Sequence, residues 1–314
     1  MHITILGGGS WGTALAIHLA KKQHQVNVWE FFKEQAEEMQ KQRVCRLLPE
    51  VTLPENIFIS SQLELSLAKS ELVIIAVPSD KVERTVTAAK PFCSSQPIIL
   101  ASKGFAQDGQ LLSEVVQEQL ANPLYCLYGP THAEEVCKGL FSGMVLAGGK
   151  GKLKLKKAIE SNELKVELSN DIIGVQVAAA LKNVIAVLGG MIEGKGLGDN
   201  ARAYVMTKGL QEIQQLGLKM GAKKETFYGL AGVGDLIVTC GSRHSRNFHV
   251  GREVGKGRKL DAVLSEMKMV AEGVTTTKHI PKLCQKFTVT LPLIQGVYEV
   301  LYQGKDLFTI LEAL

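Results

Sequence analysis

Three glycines near the start of the chain have the spacing of a phosphate-binding turn. Gly7, Gly9 and Gly12 form a G-x-G-x-x-G array directly after the apolar segment 3–6. Glycine in this array permits a tight turn, lets a pyrophosphate approach the backbone and lets the following helix pack closely on its strand. The start of that helix offers free N–H groups to a phosphate. The array therefore predicts a dinucleotide site rather than a glycine turn that binds nothing.

An acidic residue stands where a dinucleotide site needs one. The second predicted strand, residues 25–29, is followed by Glu30, which lies 18 residues beyond Gly12. A carboxylate near this position hydrogen-bonds the adenosine ribose 2′-OH and opposes a 2′-phosphate. The cofactor is therefore predicted to be NAD or NADP, with NAD favoured by Glu30.

A lysine interrupts an otherwise apolar helix in the second half of the chain. Between Val175 and Leu188 the only polar side chains are Gln176, Lys182 and Asn183. A helix that is apolar on all sides is expected to be buried, where an unpaired ammonium is costly. Burial would lower the pKa of Lys182 toward working pH and suit it to proton transfer. The alternative is that Lys182 extends to solvent past the alanines.

An acid among glycines is a candidate partner for that lysine. Asp235 lies in the segment 229–240, which reads GLAGVGDLIVTC, and a carboxylate among close-packed aliphatic residues needs a cation. Thr239 is one helical turn further along the same face and could join it. Asp235 could equally be an ordinary N-cap of the next helix.

A polar segment after this helix could bind an anion. Ser245, Arg246 and Asn247 place hydroxyl, guanidinium and amide groups at a predicted helix start. The Arg246 guanidinium can donate two hydrogen bonds to a phosphate. The alternative is a polar loop that ends in a Ser245 cap.

Composition agrees with a globular enzyme and narrows the function classes. The 314 residues are 46% hydrophobic and 21% charged, with a net charge of +5. A modest charge and no recognised module predict no nucleic-acid partner, and no apolar run reaches the roughly 18 residues of a membrane span. Six scattered cysteines without a C-x-x-C pair predict free thiols in the cytoplasm, and no metal-ligand spacing is present.

The order of predicted elements gives the fold class and the domains. Apolar runs at 72–77, 97–101 and 124–128 alternate with helical segments, which is typical of an α/β fold with a doubly wound parallel sheet. From Ile172 onward the pattern is helical, with helices predicted at 172–191, 201–220, 224–230 and 276–284 among others. We therefore predict an N-terminal Rossmann-type domain at residues 1–170 and an all-α substrate and catalytic domain at residues 171–314.

Taken together, these segments resemble the NAD(P)-dependent glycerol-3-phosphate dehydrogenases of prokaryotic type. The resemblance runs in order over essentially the whole chain, and its segments are G-x-GSWGTALA at 7–16, SKG at 102–104, GPTHAEEV at 129–136, ALKNVIA at 180–186, GLAGVGDL at 229–236, SRN at 245–247 and VAEG at 270–273. It implies reversible hydride transfer between a nicotinamide cofactor and dihydroxyacetone phosphate, which gives sn-glycerol 3-phosphate for glycerophospholipid synthesis. It also implies a homodimer in the cytoplasm.

The resemblance also assigns roles to residues. It implies that Lys182 is the proton donor or acceptor, with Asn183 beside it. Substrate-binding roles are implied for Lys103, Gly129, Thr131, Lys182, Asp235, Ser245, Arg246 and Asn247. Cofactor contacts are implied for Ser10, Trp11, Lys103, Ala133, Arg246, Val270 and Glu272. Of these, Val270 and Glu272 rest on the resemblance alone.

The chain departs from that family at two places, and two other function classes stay open. Many family members carry basic residues where this chain has Glu30, Phe31 and Phe32, and often serine at Thr131. A β-hydroxyacid dehydrogenase would share the two-domain plan and the lysine helix but would recognise a carboxylate. A non-catalytic dinucleotide sensor would keep the glycine turn and could lose Lys182.

Overall fold

The chain folds into two compact units. The computed structural model describes residues 1–242, 244–267 and 270–312. One unit comprises Met1–Ser102 and Leu112–Ile172, and the other comprises Lys103–Leu111 and Ile173–Leu314. The first unit contains the sheet, and the second is helical.

An eight-stranded sheet forms the centre of the first unit. Its strand order is β10-β9-β8-β7-β6-β1-β2-β5, and every pairing is parallel except β8 with β9. A separate antiparallel pair joins β3 and β4. The described strands are β1 (His2–Leu6), β2 (Gln25–Trp29), β3 (Val44–Cys45), β4 (Leu48–Thr52), β5 (Ile57–Ser60), β6 (Leu72–Ile75), β7 (Ile98–Leu100), β8 (Leu124–Tyr128), β9 (Ser142–Gly148) and β10 (Leu164–Ser169).

Helices cover this sheet, and its central strands carry buried apolar residues on both faces. All residues of β6 and β7 are buried, as a doubly covered parallel strand requires. The described helices of this unit are α1 (Ser10–Lys21), α2 (Lys33–Gln42), α3 (Leu63–Leu67), α4 (Val82–Ala89), α5 (Leu112–Gln119), α6 (Ala133–Val136) and α7 (Lys152–Ile159). This is the predicted Rossmann-type doubly wound sheet.

The second unit is built around one long buried helix. Its described helices are α8 (Ile172–Gly194), α9 (Gly198–Lys219), α10 (Asp235–Gly241), α11 (Arg246–Gly255), α12 (Leu260–Ser265), α13 (Glu272–Thr277), α14 (Ile280–Phe287), α15 (Pro292–Gln303) and α16 (Leu307–Glu312). Among the described residues only α8 is long and apolar enough to cross a membrane, and 89% of its most apolar window is buried inside the protein. Burial of that kind is typical of a core helix.

Some predicted elements have different bounds or were missed. The helix predicted at 276–284 is wrong, because α13 ends at Thr277 and α14 begins at Ile280. Pro281 lacks an N–H group and cannot continue a helix from the preceding turn, so it marks a new start. The residues predicted as a helix at 224–230 form a 3₁₀ turn, Lys224–Tyr228, and then enter a π-helical turn, Leu230–Gly234. The edge strand β5 and the last described helix, α16, were not predicted from the sequence pattern.

Candidate active site

The glycine turn of the first unit has the geometry of a phosphate cradle. Gly7 has a φ of +124°, and a Cβ there would lie 2.8 Å from the Ala76 oxygen. A Cβ at Gly12 would lie 2.0 Å from the Gly7 oxygen, so α1 packs directly on the turn. At Gly9 a Cβ would meet no atom of the described residues within 4 Å, which leaves the backbone open on that side. The indole Nε1 of Trp11 is buried and has no hydrogen-bond partner in the part of the chain that the structure describes. These features fit a dinucleotide pyrophosphate.

Glu30 lies against this turn. A Cβ at Gly8 would lie 2.6 Å from Glu30 Oε2, and the Phe32 N–H donates to Oε1 at 3.1 Å. The side chain is mostly buried, and burial raises the pKa of Glu30 above its usual value, while the Phe32 hydrogen bond opposes that shift. The close contact with Gly8 was not predicted, because the fingerprint pattern leaves that position unspecified.

A buried ion cluster occupies the second unit. The Lys182 ammonium of α8 donates to Asp235 Oδ1 at 2.7 Å and to Thr239 Oγ1 at 2.6 Å. The Lys103 ammonium donates to the other carboxylate oxygen, Oδ2, at 2.9 Å. Asp235 is 0% exposed and Lys182 is 5% exposed. The structure therefore brings Lys103, Lys182 and Asp235 together, and Thr239 joins them, as its helical spacing from Asp235 suggested.

The backbone before α10 explains how Asp235 reaches the cluster. Residues Leu230–Gly234 form a π-helical turn that leads directly into α10. A Cβ at Gly232 would lie 2.1 Å from the Phe227 oxygen, so only glycine fits this close approach. Asp235 is the first residue of α10, and its carboxylate binds two lysines instead of capping the helix. The N-cap alternative for Asp235 is therefore wrong.

The surroundings of Lys182 lower the pKa of its ammonium group. Burial lowers the pKa of Lys182 to about 8, opposed by the Asp235 carboxylate and assisted by the positive charge of Lys103. The alternative in which this lysine reaches solvent is also wrong, because its ammonium is bound inside the unit. With both lysines protonated, the two cations and one carboxylate leave an excess of one positive charge (2 − 1 = +1). Such a cluster can hold an anion and donate a proton near neutral pH.

A second polar group ties α8 to α11 and α13. Asn247 Nδ2 donates to Asn183 Oδ1 at 2.9 Å, and the Gly273 N–H donates to Asn247 Oδ1 at 2.8 Å. Ser245 is the N-cap of α11 and accepts from the Phe248 N–H at 3.2 Å. Ser245 therefore caps α11, as one of the two sequence interpretations predicted. Its role in binding the substrate stays a prediction.

Arg246 is joined to a segment that only the resemblance identified. Its guanidinium donates to the Val270 oxygen at 2.9 Å. Val270 is exposed, and Glu272 is the first residue of α13. No local motif of charge or periodicity singles out these two residues, so the sequence pattern alone could not find them.

The remaining predicted residues lie at strand ends of the first unit. Ser102 follows β7, and its hydroxyl donates to the Val77 oxygen at 2.6 Å, while Tyr128 of β8 donates to the Ser102 oxygen at 2.8 Å. Gly129 follows β8 and packs on β9, where a Cβ would lie 2.5 Å from the Gly143 oxygen. Thr131 donates to the Gly129 oxygen at 3.2 Å, and Ala133 opens α6. The carboxyl ends of β6, β7 and β8 thus meet, as expected for ligand-binding loops.

Two family sequence models match the chain. Residues 2–154 match the model described as NAD-dependent glycerol-3-phosphate dehydrogenase N-terminus, and residues 171–312 match the one described as its C-terminus.

Individual relatives agree with these matches. A protein of Chlorobium phaeobacteroides named glycerol-3-phosphate dehydrogenase (NAD(P)+) is 42% identical over 97% of this chain and 94% of its own. One of Bacillus licheniformis with the same name is 40% identical over 99% of this chain and 93% of its own. The crystal structure of glycerol-3-phosphate dehydrogenase from Coxiella burnetii superposes with a TM-score of 0.96 at 34% identity, covering 99% of this chain and 98% of that one.

Proposed function

Because the chain belongs to the NAD-dependent glycerol-3-phosphate dehydrogenase family, we propose that Lys182 moves the proton in its reaction and that the cluster with Asp235 and Lys103 acts on the substrate oxygen. The enzyme is an NAD(P)-dependent oxidoreductase that interconverts dihydroxyacetone phosphate and sn-glycerol 3-phosphate. The observation that carries the proposal is the buried Lys182–Asp235 pair at 2.7 Å.

The proton step follows from the cluster geometry. The bound nicotinamide cofactor supplies the hydride to the carbonyl carbon. In the reducing direction Lys182 then donates a proton to the oxygen on which negative charge develops, and its lowered pKa of about 8 makes this donation easy near neutral pH. Lys103 adds positive potential beside it, and Asp235 holds both ammonium groups in place.

Recognition of the substrate phosphate is assigned to the start of α11. The Arg246 guanidinium can donate two charged hydrogen bonds to the phosphate, and Ser245 and Asn247 are its neighbours in sequence. Anchoring a part of the substrate that does not react would orient its carbonyl and lower the entropic cost of the reaction. Gly129 and Thr131 are proposed as further substrate-binding residues, on the resemblance.

The first unit is assigned to the cofactor. Gly7, Gly9 and Gly12 with the start of α1 fit a pyrophosphate, and Glu30 would accept the ribose hydroxyl and favour NAD over NADP. Cofactor contacts are also proposed for Ser10, Trp11, Lys103, Ala133, Arg246, Val270 and Glu272.

The cellular setting is part of the proposal. We propose a cytoplasmic homodimer that makes glycerol 3-phosphate for glycerophospholipids without inserting into a membrane. All six cysteines are free, which suits a reducing compartment, and α8 is buried as a core helix. Sedimentation of the purified protein would test the dimer.

Oxidation of NADH by the purified enzyme tests the substrate assignment. Dihydroxyacetone phosphate should be reduced with a kcat/KM at least about tenfold above that of a keto acid of similar size, because Arg246 is assigned to a phosphate and the family acts on a phosphorylated substrate. A higher kcat/KM with the keto acid would favour a hydroxyacid dehydrogenase. Cofactor binding without turnover of either ketone would favour a dinucleotide sensor.

A further inference from the structure

A short hairpin carries Lys103 and folds with the helical unit. Residues Lys103–Leu111 belong to that unit, although they lie between β7 and α5 in sequence. Phe105 and Leu111 form an isolated antiparallel bridge, and the Ala106 N–H donates to the Gln110 oxygen at 2.9 Å. A 3₁₀ turn, Gln107–Gly109, closes the hairpin. Lys103 therefore precedes the hydrogen-bonded part of the hairpin by two residues.

The hairpin is held by apolar contacts rather than by its ion pair. Phe105 and Leu111 are 1% and 3% exposed and belong to the core of the helical unit. Gly109 lies so close to Leu283 of α14 that a Cβ would be 2.8 Å from two of its side-chain carbons. The Asp108–Lys282 ion pair is 63% and 64% exposed, and exposed pairs contribute little. The anchors are therefore the buried side chains and the close contact at Gly109.

An anchored hairpin helps to define the position of the Lys103 ammonium. A lysine side chain has four rotatable bonds, so its charged end has a defined place only where its backbone is fixed and a partner binds it. Asp235 binds the ammonium at 2.9 Å, and the anchored part of the hairpin begins only two residues further along the chain, at Phe105.

We propose that the hairpin 103–111 is a positioning element for the reaction, and that Phe105 and Gly109 act through it to hold the Lys103 ammonium on Asp235. This inference rests on the proposed function of Lys103. Phe105 and Gly109 are positioning residues, whereas Lys103 contacts the reacting groups.

Displacement of the hairpin would change the pKa of Lys182 through the charge of Lys103. The titratable groups that act on Lys182 among the described residues are Lys103 of the hairpin and Asp235 and Cys240 of α10. Burial raises the pKa of Cys240 to about 12, so this thiol is neutral at working pH. Moving Lys103 away removes a positive charge that lowers the pKa of Lys182 and leaves Asp235 to raise it. Displacing the hairpin should therefore raise the pKa of Lys182.

The variant Gly109→Ala displaces the hairpin at its tightest contact. The new methyl group would clash with Leu283, and the φ of +77° is unfavourable for alanine. Gly139→Ala is a matched control, because its φ is +78° but the nearest atom to its Cβ among the described residues would be Glu163 Cγ at 4.0 Å. We expect Gly109→Ala to lower kcat/KM about tenfold and to move the falling alkaline limb of the reduction profile upward by about half a pH unit or more. Gly139→Ala should leave the limb in place.

Combination with Lys103→Met separates positioning from general damage. If the hairpin acts through Lys103, Gly109→Ala should lower kcat/KM less than about twofold in a Lys103→Met background. If Gly109→Ala does not fold, Phe105→Leu can replace it, because it displaces the hairpin less. Its loss of kcat/KM should likewise be smaller in the Lys103→Met background. An unmoved alkaline limb, or equal losses with and without Lys103, would overturn the inference. If Lys103→Met itself has no effect, the proposed role of Lys103 fails, whereas a silent Gly109→Ala beside an impaired Lys103→Met refutes only the hairpin.

Discussion

The proposed proton step uses a few buried side chains, in which one carboxylate binds two ammonium groups. Lys182 is tolerated inside an apolar helix because Asp235 and Thr239 accept its hydrogen bonds at 2.7 and 2.6 Å. Asp235 in turn binds a second ammonium, that of Lys103. The result is a lysine with a depressed pKa next to excess positive charge, a combination that suits the proposed proton donation to a ketone oxygen.

Lys182→Met should lower kcat by at least about 10²-fold, because it keeps the approximate side-chain volume and removes the proton donor. Steady-state kinetics with dihydroxyacetone phosphate measures this loss, and NADH binding should change little. Lys157→Met, at an exposed lysine of α7, is the control. A near-normal kcat for Lys182→Met would make Lys103 the candidate acid.

Arg246→Ala should lower kcat/KM for the phosphorylated ketone by roughly 1.5–3 kcal/mol, because it removes a charged, two-pronged contact to phosphate. Arg252→Ala, in the same helix but paired with Glu253, is the matched control. Arg246 also binds the Val270 oxygen, so NADH affinity must be measured separately. An equal loss with unphosphorylated dihydroxyacetone, at normal NADH affinity, would rule out phosphate discrimination by Arg246.

NADH should give a higher kcat/KM than NADPH, because the Glu30 carboxylate lies beside the glycine turn and opposes a 2′-phosphate. Kinetics with both cofactors at one pH decides the matter. Glu30→Gln keeps the shape of the side chain and removes its negative charge. It should lower the ratio of kcat/KM with NADH to kcat/KM with NADPH. A tenfold preference for NADPH in the wild type, about 1.4 kcal/mol, would contradict this prediction.

At the scale of elements, close backbone packing between α8 and α11 sets the position of the proposed proton donor relative to the proposed phosphate site. A Cβ at Gly190 of α8 would lie 2.1 Å from the Phe248 oxygen, and one at Gly251 of α11 would lie 1.9 Å from the Val187 oxygen. Such distances leave no room for any side chain, so the two helices touch through their backbones. Lys182 and Arg246 are therefore carried by two helices in fixed contact.

Gly190→Ala should destabilise the protein by about 1–3 kcal/mol, because the methyl group forces α8 and α11 apart. Gly189→Ala is an adjacent control in the same helix, since its Cβ would be 3.8 Å from the nearest atom. That variant should be neutral or stabilising by up to about 1 kcal/mol, through helix propensity. Urea unfolding measures both, and equal effects of the two substitutions would refute the packing argument.

At the scale of the whole molecule, each unit has its own apolar core, and the ion cluster lies inside the helical one. The core of the first unit gathers in-register strand residues such as Ile3, Ile5, Leu72 and Ile74, which share one face of the sheet, and packs them with α1, whereas the core of the second unit surrounds α8. Holding a charged lysine in such a core lowers the stability of the folded state, because the unfolded chain solvates the ammonium freely.

The stability cost of Lys182 should depend on pH. Its folded pKa of about 8 lies below the value of about 10.4 in an unfolded chain, so between these limits the unfolded state binds more protons. The unfavourable contribution of Lys182 to the free energy of unfolding should therefore become smaller as pH increases from 8 toward 10.4. Below pH 8 this contribution should be constant. Urea unfolding of wild type and Lys182→Met at pH 7.5 and pH 9.5 isolates this contribution. A wild type that loses stability relative to the variant over this range would contradict it.

The sequence by itself determined the fold class and several site residues, because their signals are local. Glycine spacing after an apolar strand identifies a dinucleotide turn wherever the rest of the chain goes. A lysine in an apolar helix and an acid among glycines likewise identify Lys182 and Asp235 as buried polar groups that need partners.

Only the tertiary structure decided which groups become partners. Lys103 reaches Asp235 across 132 residues of sequence, and Asn247 reaches Gly273 and Asn183 from different helices. The backbone approach at Gly190 and Gly251 and the hairpin contact at Gly109 are equally invisible to local patterns. The physical reason is that propensity and periodicity act over a few turns, whereas these contacts depend on the path of the whole backbone.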